Sequence, residues 1–208
     1  MSVLHADAAA SLAPLLERNR AWAAEKLQRD PDFFRRLSLQ QKPSYFWIGC
    51  SDSRVPATEI VDLDPGKMFV HRNVANLAIA GDPSFEAALA FAVDVLGVQH
   101  VIVTGHYGCG GIAAARRSPD DELGRWLAPA HALFKQHGKD AAVSDDRLCE
   151  LNVLAQVARL CAHPTIVRAW RRERRPWVHG WIYSIANGLL AELCAPMAPT
   201  QLGAFAHD

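Results

Sequence analysis

The sequence predicts an α/β fold: a mainly parallel central sheet flanked by helices, with an N-terminal helical arm. Three observations carry this expectation. Short runs rich in β-branched and aromatic residues alternate with longer helical patterns, as when helices cross between parallel strands. One of these runs, SYFWIGC, is apolar enough to read as a buried strand. The two segments richest in reactive side chains, CSDSR and GHYGCGG, each follow a strand-like run. Sites in open α/β sheets form beyond the carboxyl ends of the strands.

The elements follow in order. Residues 11–29 carry Leu12, Leu15, Leu16, Trp22 and Leu27 among Ala, Arg and Glu. This is an amphipathic helix ended by Asp30-Pro31. It belongs to an arm, residues 1–36, on a single domain of residues 1–208. Residues 44–50 and 68–71 read as strands. Residues 84–96 begin on Ser84, a favourable N-cap, and stop at Gly97, so they read as a helix. HVIVT at 100–104 is a β-branched strand, followed by GHYGCGG and an Ala-rich helix. Helical patterns run over 121–137 and 145–162, and residues 177–185 return to strand character.

With 208 residues, half of them hydrophobic, the chain can bury one sizeable core. Lys plus Arg equals Asp plus Glu, 22 each, so the formal net charge is zero. That gives no support to a nucleic-acid partner. The arginines at 171–175 read as a solvated helix end, because nucleic-acid binders carry a wider basic patch. The opening MSVLHADAAASLAPLLERNR lacks the positive start and continuous apolar run of a signal peptide. No run of about 18 apolar residues is present to span a membrane. The expected location is the cytoplasm, with the five cysteines reduced. In that setting spaced Cys and His residues more often mean metal or catalysis than disulfides.

Cys50, Asp52 and Arg54 alternate with Ser51 and Ser53, so an extended chain would put all three on one face. His106 and Cys109 are three apart at a strand-to-helix turn. Gly105, Gly108, Gly110 and Gly111 surround them and let the backbone fold tightly around an ion. Two Cys, one His and an oxygen from Asp or water form a reasonable tetrahedral zinc set. Thiolate and imidazole favour zinc over magnesium or calcium. A helix start at Cys109 favours its thiolate. Taken singly, Cys50 and Cys109 would be core cysteines and His106 a turn residue. Taken together, at two strand ends, they read as a metal site. Cys149, Cys161 and Cys194 lie in apolar patterns and read as small buried hydrophobes.

CSDSRVP at 50–56, HRNVAN at 71–76 and GHYGCGG at 105–111 resemble the signature segments of the β-class carbonic anhydrases. CELNV at 149–153 and VHGWIY at 178–183 match as well, so the resemblance covers nearly the whole chain. RRERRPW at 171–177 departs from the pattern, and the tail after Leu193 offers little to align. The resemblance implies zinc-dependent, reversible hydration of carbon dioxide to bicarbonate and a proton. It implies zinc (Zn2+) held by Cys50, His106 and Cys109, with Asp52 as fourth ligand in a resting state. It also implies an Asp52–Arg54 pair that unblocks the metal.

Charge counting gives that pair a physical sense. Zinc, two thiolates and a neutral imidazole sum to zero. Asp52 on the metal adds a negative charge and fills the position a catalytic zinc keeps open. The planar fork of Arg54 can take the carboxylate bidentately and hold it away.

By the same resemblance, Gln41 hydrogen-bonds a substrate oxygen, and Phe91 and Val74 line the apolar pocket for carbon dioxide. Trp47, Arg72 and Tyr183 match the trio of the bicarbonate-inhibited subtype, with Trp47 on the strand face opposite Cys50. This implies allosteric inhibition by bicarbonate at low pH. The family further implies a homodimer that exchanges the helix around Trp22, paired into a homotetramer. A zinc hydrolase of carbonyl sulfide or carbon disulfide on the same scaffold would share these motifs. A non-catalytic zinc module would have no use for Asp52 and Arg54.

Overall fold

A computed structural model describes residues 3–117, 120–137, 143–173 and 175–198, the side chains of residues 3–9 and 173 excepted. The chain divides into two units, Met1–Gln41 and Lys42–Asp208.

The first unit is a helical pair. Helix α1, Val3–Arg29, is longer than the apolar periodicity predicted and runs through Pro14. Helix α2, Phe33–Leu39, was not predicted. It is only seven residues long, too short to show a period. Trp22 packs edge-on against Phe34 with centroids 5.6 Å apart, and Phe34 packs on Phe33 at 5.1 Å. Leu12, Leu15 and Leu16 stay exposed within this unit, at 58%, 58% and 60%.

The second unit is built on a five-stranded sheet. Its strands are β1 (Tyr45–Cys50), β2 (Met68–Asn73), β3 (His100–His106), β4 (Trp177–Ser184) and β5 (Leu189–Glu192). The spatial order is β2-β1-β3-β4-β5. The first four strands are parallel, and β5 returns antiparallel to β4. Strand β5 was not anticipated, and β2 runs two residues past the predicted end.

Strand β1 shows how the sequence sets the faces. Phe46, Ile48 and Cys50 point to the main core, which also holds Val101, Val103, Val178 and Ile182. The alternate residue Trp47 points to a smaller cluster with Ala57 and Ile102. Gly49 is needed because any side chain there would strike the Trp47 ring. Around the main core lie α3 (Pro83–Ala90), α4 (Gly110–Arg117), α5 (Glu122–His137), α6 (Asp145–Ala162) and α7 (Pro164–Glu173).

The predicted helix over 84–96 divides into α3 and a π-helical turn, Phe91–Val95. Its cap is Asp82 rather than Ser84. The Asp82 side chain accepts the Ser84 N–H, and Pro83 starts the helix without a donor to satisfy. Helix α7 escaped the sequence reading except as a helix end near Arg171. Among the described residues, no helix is long and apolar enough to cross a membrane.

The chain enters the sheet at β1, adds β2 on one side, and then places β3 on the other. This reversal is the switch point of a doubly wound sheet, where a crevice opens at the strands' carboxyl ends. Cys50 closes β1 and His106 closes β3, so both reach that crevice.

Candidate metal centre

The Cys50 and Cys109 sulfurs and a ring nitrogen of His106 all lie within 4.8 Å of one another, and all three residues are buried. The two sulfurs are 3.9 Å apart. Two thiolates bound tetrahedrally to one zinc, each at about 2.3 Å, would stand about 3.8 Å apart.

His106 is fully buried, and its Nδ1 lies 3.0 Å from the Tyr107 carbonyl. With Nδ1–H donating there, Nε2 carries the free lone pair. Among the described residues that Nε2 has no conventional hydrogen-bond partner. A buried ring nitrogen left unpaired is costly, and a metal ion relieves it. The donor chemistry, the sulfur spacing and the orphaned nitrogen therefore all fit zinc.

The two adjacent sulfurs influence each other's ionisation. Cys50 is held well below the usual thiol range, chiefly by its hydrogen bond with Cys109, with burial opposing. Cys109 is pushed far up by that same Cys50 sulfur and by burial. For His106, burial works against protonation, yet the Cys50 sulfur, the Tyr107 carbonyl and Asp52 together raise it.

The extended-chain expectation for residues 50–54 is corrected. Strand β1 stops at Cys50, and the Asp52 side chain turns the chain back by accepting the Arg54 N–H at 3.0 Å. This local side-chain-to-backbone bond competes with continued strand. The two side chains still meet as a fork: Arg54 Nε donates to Oδ1 at 2.9 Å and Nη2 to Oδ2 at 2.7 Å. The Arg54 guanidinium holds the Asp52 carboxyl well below the usual carboxylate range. Asp52 Oδ2 lies 3.7 Å from His106 Nε2. The carboxylate therefore borders the metal donors while Arg54 grips it.

Sequence reading missed several groups that hold this site. Arg72, singled out only as an anion ligand, donates Nε to the Cys50 carbonyl at 2.7 Å and Nη2 to the Asp52 carbonyl at 2.6 Å. Tyr107 donates its hydroxyl to Glu150 at 2.7 Å, and Arg147 donates to the other oxygen of Glu150 at 2.6 Å. Gly108 N–H donates to Asp146. The one available signal was acidic residues opening the helix over 145–162, four residues before the CELNV segment begins.

The other expected residues fall as follows. Trp47 is fully buried, packs edge-on to Trp181 at 6.3 Å, and has no partner for its Nε1–H among the described residues. By register, Arg72 pairs with Gly49, and Tyr183, also buried, pairs with His106. Phe91 and Val74 are exposed, at 41% and 38%. Gln41 is the last residue of the first unit and is exposed. Cys149 and Cys161 are buried as expected, whereas Cys194 is half-buried.

Known proteins give a consistent match. A family model described as carbonic anhydrase covers residues 45–190. The carbonic anhydrase of Emericella nidulans is 41% identical over 186 residues, spanning 86% of this chain and 82% of that protein. A Sordaria macrospora β-carbonic anhydrase, described as tetrameric, superposes with a TM-score of 0.84 at 38% identity, covering 90% of this chain and 99% of the other. The Coccomyxa β-carbonic anhydrase, solved with acetazolamide, gives 0.86 at 33% identity over 94% and 97% of the two chains. With a donor set at the switch point of a 2-1-3-4-5 sheet and these matches over most of its length, this chain belongs to the β-carbonic anhydrase family.

Proposed function

We propose that the chain interconverts carbon dioxide and bicarbonate on a zinc ion held by Cys50, His106 and Cys109. The observation that carries this reading is the convergence with two sulfurs of the buried His106 Nε2, which has no hydrogen-bond partner among the described residues. Zinc held there supplies Lewis-acid activation of the water that attacks carbon dioxide. The chain's own residues do the rest. Tyr107 fixes the His106 tautomer through its carbonyl. Arg54 keeps the Asp52 carboxylate off the fourth position by a bidentate grip. Were that grip released, Asp52 would be free to take the position itself, giving a resting state. Gln41 donates to a substrate oxygen, and Phe91 and Val74 supply apolar surface for a small apolar substrate. The proton leaves to solvent.

Trp47, Arg72 and Tyr183 take bicarbonate as an allosteric inhibitor. Arg72 already holds the carbonyls on either side of Ser51, so an anion that draws its guanidinium away loosens the loop carrying Asp52. Bicarbonate shifts the balance only by its differential affinity for the closed form. If low pH favours the same closed form, bicarbonate binds more tightly as pH falls.

The exposed Leu12, Leu15 and Leu16 stripe supports burial of α1 against a second copy, in a homodimer or homotetramer. Five free cysteines suit a reducing compartment such as the cytoplasm. Stopped-flow hydration of the zinc-loaded protein across pH, with and without bicarbonate at constant ionic strength, tests the whole reading. Hydration should rise through mildly alkaline pH, and bicarbonate should move the rise upward. Turnover of carbonyl sulfide without hydration of carbon dioxide would overturn the substrate assignment.

A further inference from the structure

The arginine-rich segment RRERRPW, residues 171–177, has no part in the metal centre. The negative end of the α7 dipole favours cations in the last turn, which accounts for Arg171 and Arg172. It does not account for Arg175, which lies beyond the helix yet borders the same space as Arg172. A cavity of about 230 Å³ lies between α7, the π-helical turn Phe91–Val95 and the residues leading into β4. Arg168, Arg172 and Arg175 all line it, against one carboxylate, Asp94. Val98 precedes β3 and Pro176 precedes β4, so the cavity sits at the amino ends of these strands. The metal donors lie at the opposite, carboxyl ends.

Hydrogen bonds between elements hold the arginines in place. Arg168 Nη2 donates to Asp94 Oδ2 at 2.6 Å, which joins α7 to the π-helical turn. Trp170, 4% exposed, donates its indole N–H to the Pro176 carbonyl at 2.6 Å, which holds the chain beside Arg175 against α7. Trp177 then donates its N–H to the Gln99 carbonyl at 2.9 Å. Arg168 and Arg172 stand four residues apart and share a helix face, where like charges repel. Asp94 answers only Arg168: among the described residues, Arg172 has no carboxylate partner. Three guanidinium groups and one carboxylate leave an excess of positive charge on the lining, which an anion relieves. The planar guanidinium fork matches phosphate oxygens bidentately. Chloride has no such geometry, and bicarbonate carries a single charge.

We propose that this cavity is a binding site for a small phosphate-bearing ligand, sharing no residue with the metal centre. Arg172 and Arg175 grip the phosphate, and Arg168, braced by Asp94, completes the positive wall. The chain's net charge is zero, so the attraction is local to the cavity rather than spread over a surface that would hold a nucleic acid. The phosphate is either free or esterified to a small group that packs on Val93 and Val98.

The test is isothermal titration calorimetry of the full-length, zinc-loaded protein with inorganic phosphate and with phenyl phosphate, sodium chloride keeping the ionic strength constant. The expected result is one saturable site per chain with a Kd of roughly 1 mM or below. Arg172→Gln and Arg175→Gln should each weaken binding about tenfold or more. Arg125→Gln, at an exposed position on α5, should leave it unchanged. Equal affinity for the two probes supports free phosphate as the ligand, and a preference for phenyl phosphate supports an ester. No saturable binding, or binding that both arginine variants retain, as it would if phosphate sat on the zinc, overturns the proposal. So does a single-stranded oligonucleotide that binds more tightly than either probe and is lost steeply with salt. Arg172 and Arg175 are exposed, so the variants should keep the wild-type Tm, which separates lost binding from lost structure.

Discussion

After β1 the chain passes through Cys50, Asp52 and Arg54; after the neighbouring β3 it passes through His106, Tyr107, Gly108 and Cys109. Both segments leave parallel strands at the same end of the sheet, and both carry metal donors. Their supports differ in kind. The β3 segment is tied to the first turns of α6: Tyr107 to Glu150, and Gly108 to Asp146. The β1 segment is held by arginines, Arg72 on its carbonyls and Arg54 on its carboxylate. The side chain of Arg54 is 55% exposed against 16% for Asp52. A half-exposed guanidinium can exchange partners, whereas an acid fixed to a helix end cannot move far. The β3 side is therefore the fixed scaffold of the site, and the β1 side is where a gate can work.

The largest effects should come from the donors common to both segments. Cys50→Ala, His106→Ala or Cys109→Ala should each lose zinc and reduce hydration to background, because three protein ligands are the minimum for a catalytic zinc. Metal analysis and stopped-flow rates check this, and full zinc with normal turnover in any one variant refutes it.

Arg54→Ala should split the two segments' roles. Zinc content should stay near one per chain while kcat falls about 10- to 100-fold. Losing a charge-assisted bidentate pair of about 1.5–3 kcal/mol frees Asp52 for the metal, and partial exposure favours the lower end of that range. Arg54→Lys should recover little, since an ammonium lacks the fork.

Arg72→Ala should have a smaller effect on basal rate, about tenfold or less by analogy with other groups that orient metal ligands. It should also abolish any shift of the pH profile by bicarbonate. A variant that keeps that shift would remove Arg72 from the inhibitory site.

On the β3 side, Tyr107→Phe deletes one partly exposed hydrogen bond to a carboxylate. It should cost about 1 kcal/mol, seen as a Tm lower by about 2–4 °C, with kcat little changed.

The smallest expected effect is none. A carboxyl whose folded pKa is depressed stabilises the fold above its unfolded pKa, and loses that contribution only as pH falls through the folded value. Asp52 lies far below neutrality, so its carbon-13 resonance should not titrate between neutral and mildly acid pH. An inflection there would make Asp52 itself the pH sensor.

Much of this was legible in the sequence because it depends on local periodicity. Alternation along β1 separates Phe46, Ile48 and Cys50 from Trp47, and apolar spacing marks α5 and α6. Donor chemistry is likewise a matter of residue type: two thiols and an imidazole suit zinc wherever they meet. Helices α2 and α7 and strand β5 were not legible, being short segments stabilised by what they pack on or pair with. The turn at Asp52 was missed because alternating residue types do not reveal a side chain accepting its neighbour's N–H two residues on.

Only the tertiary structure decided that the donors converge. Cys50 and Cys109 are 59 residues apart in the chain, and they meet because β3 pairs with β1 after the crossover that follows β2. That pairing is non-local. So are the buried amides of α6 that reach the turn at Ala75, and so is the Arg72 guanidinium on the Cys50 carbonyl. The sequence by itself determined which atoms can bind a metal and which strands can form. The 2-1-3-4-5 order of the sheet determined that those atoms share one crevice, because the two sulfurs and the imidazole reach one point only when β1 and β3 are neighbours.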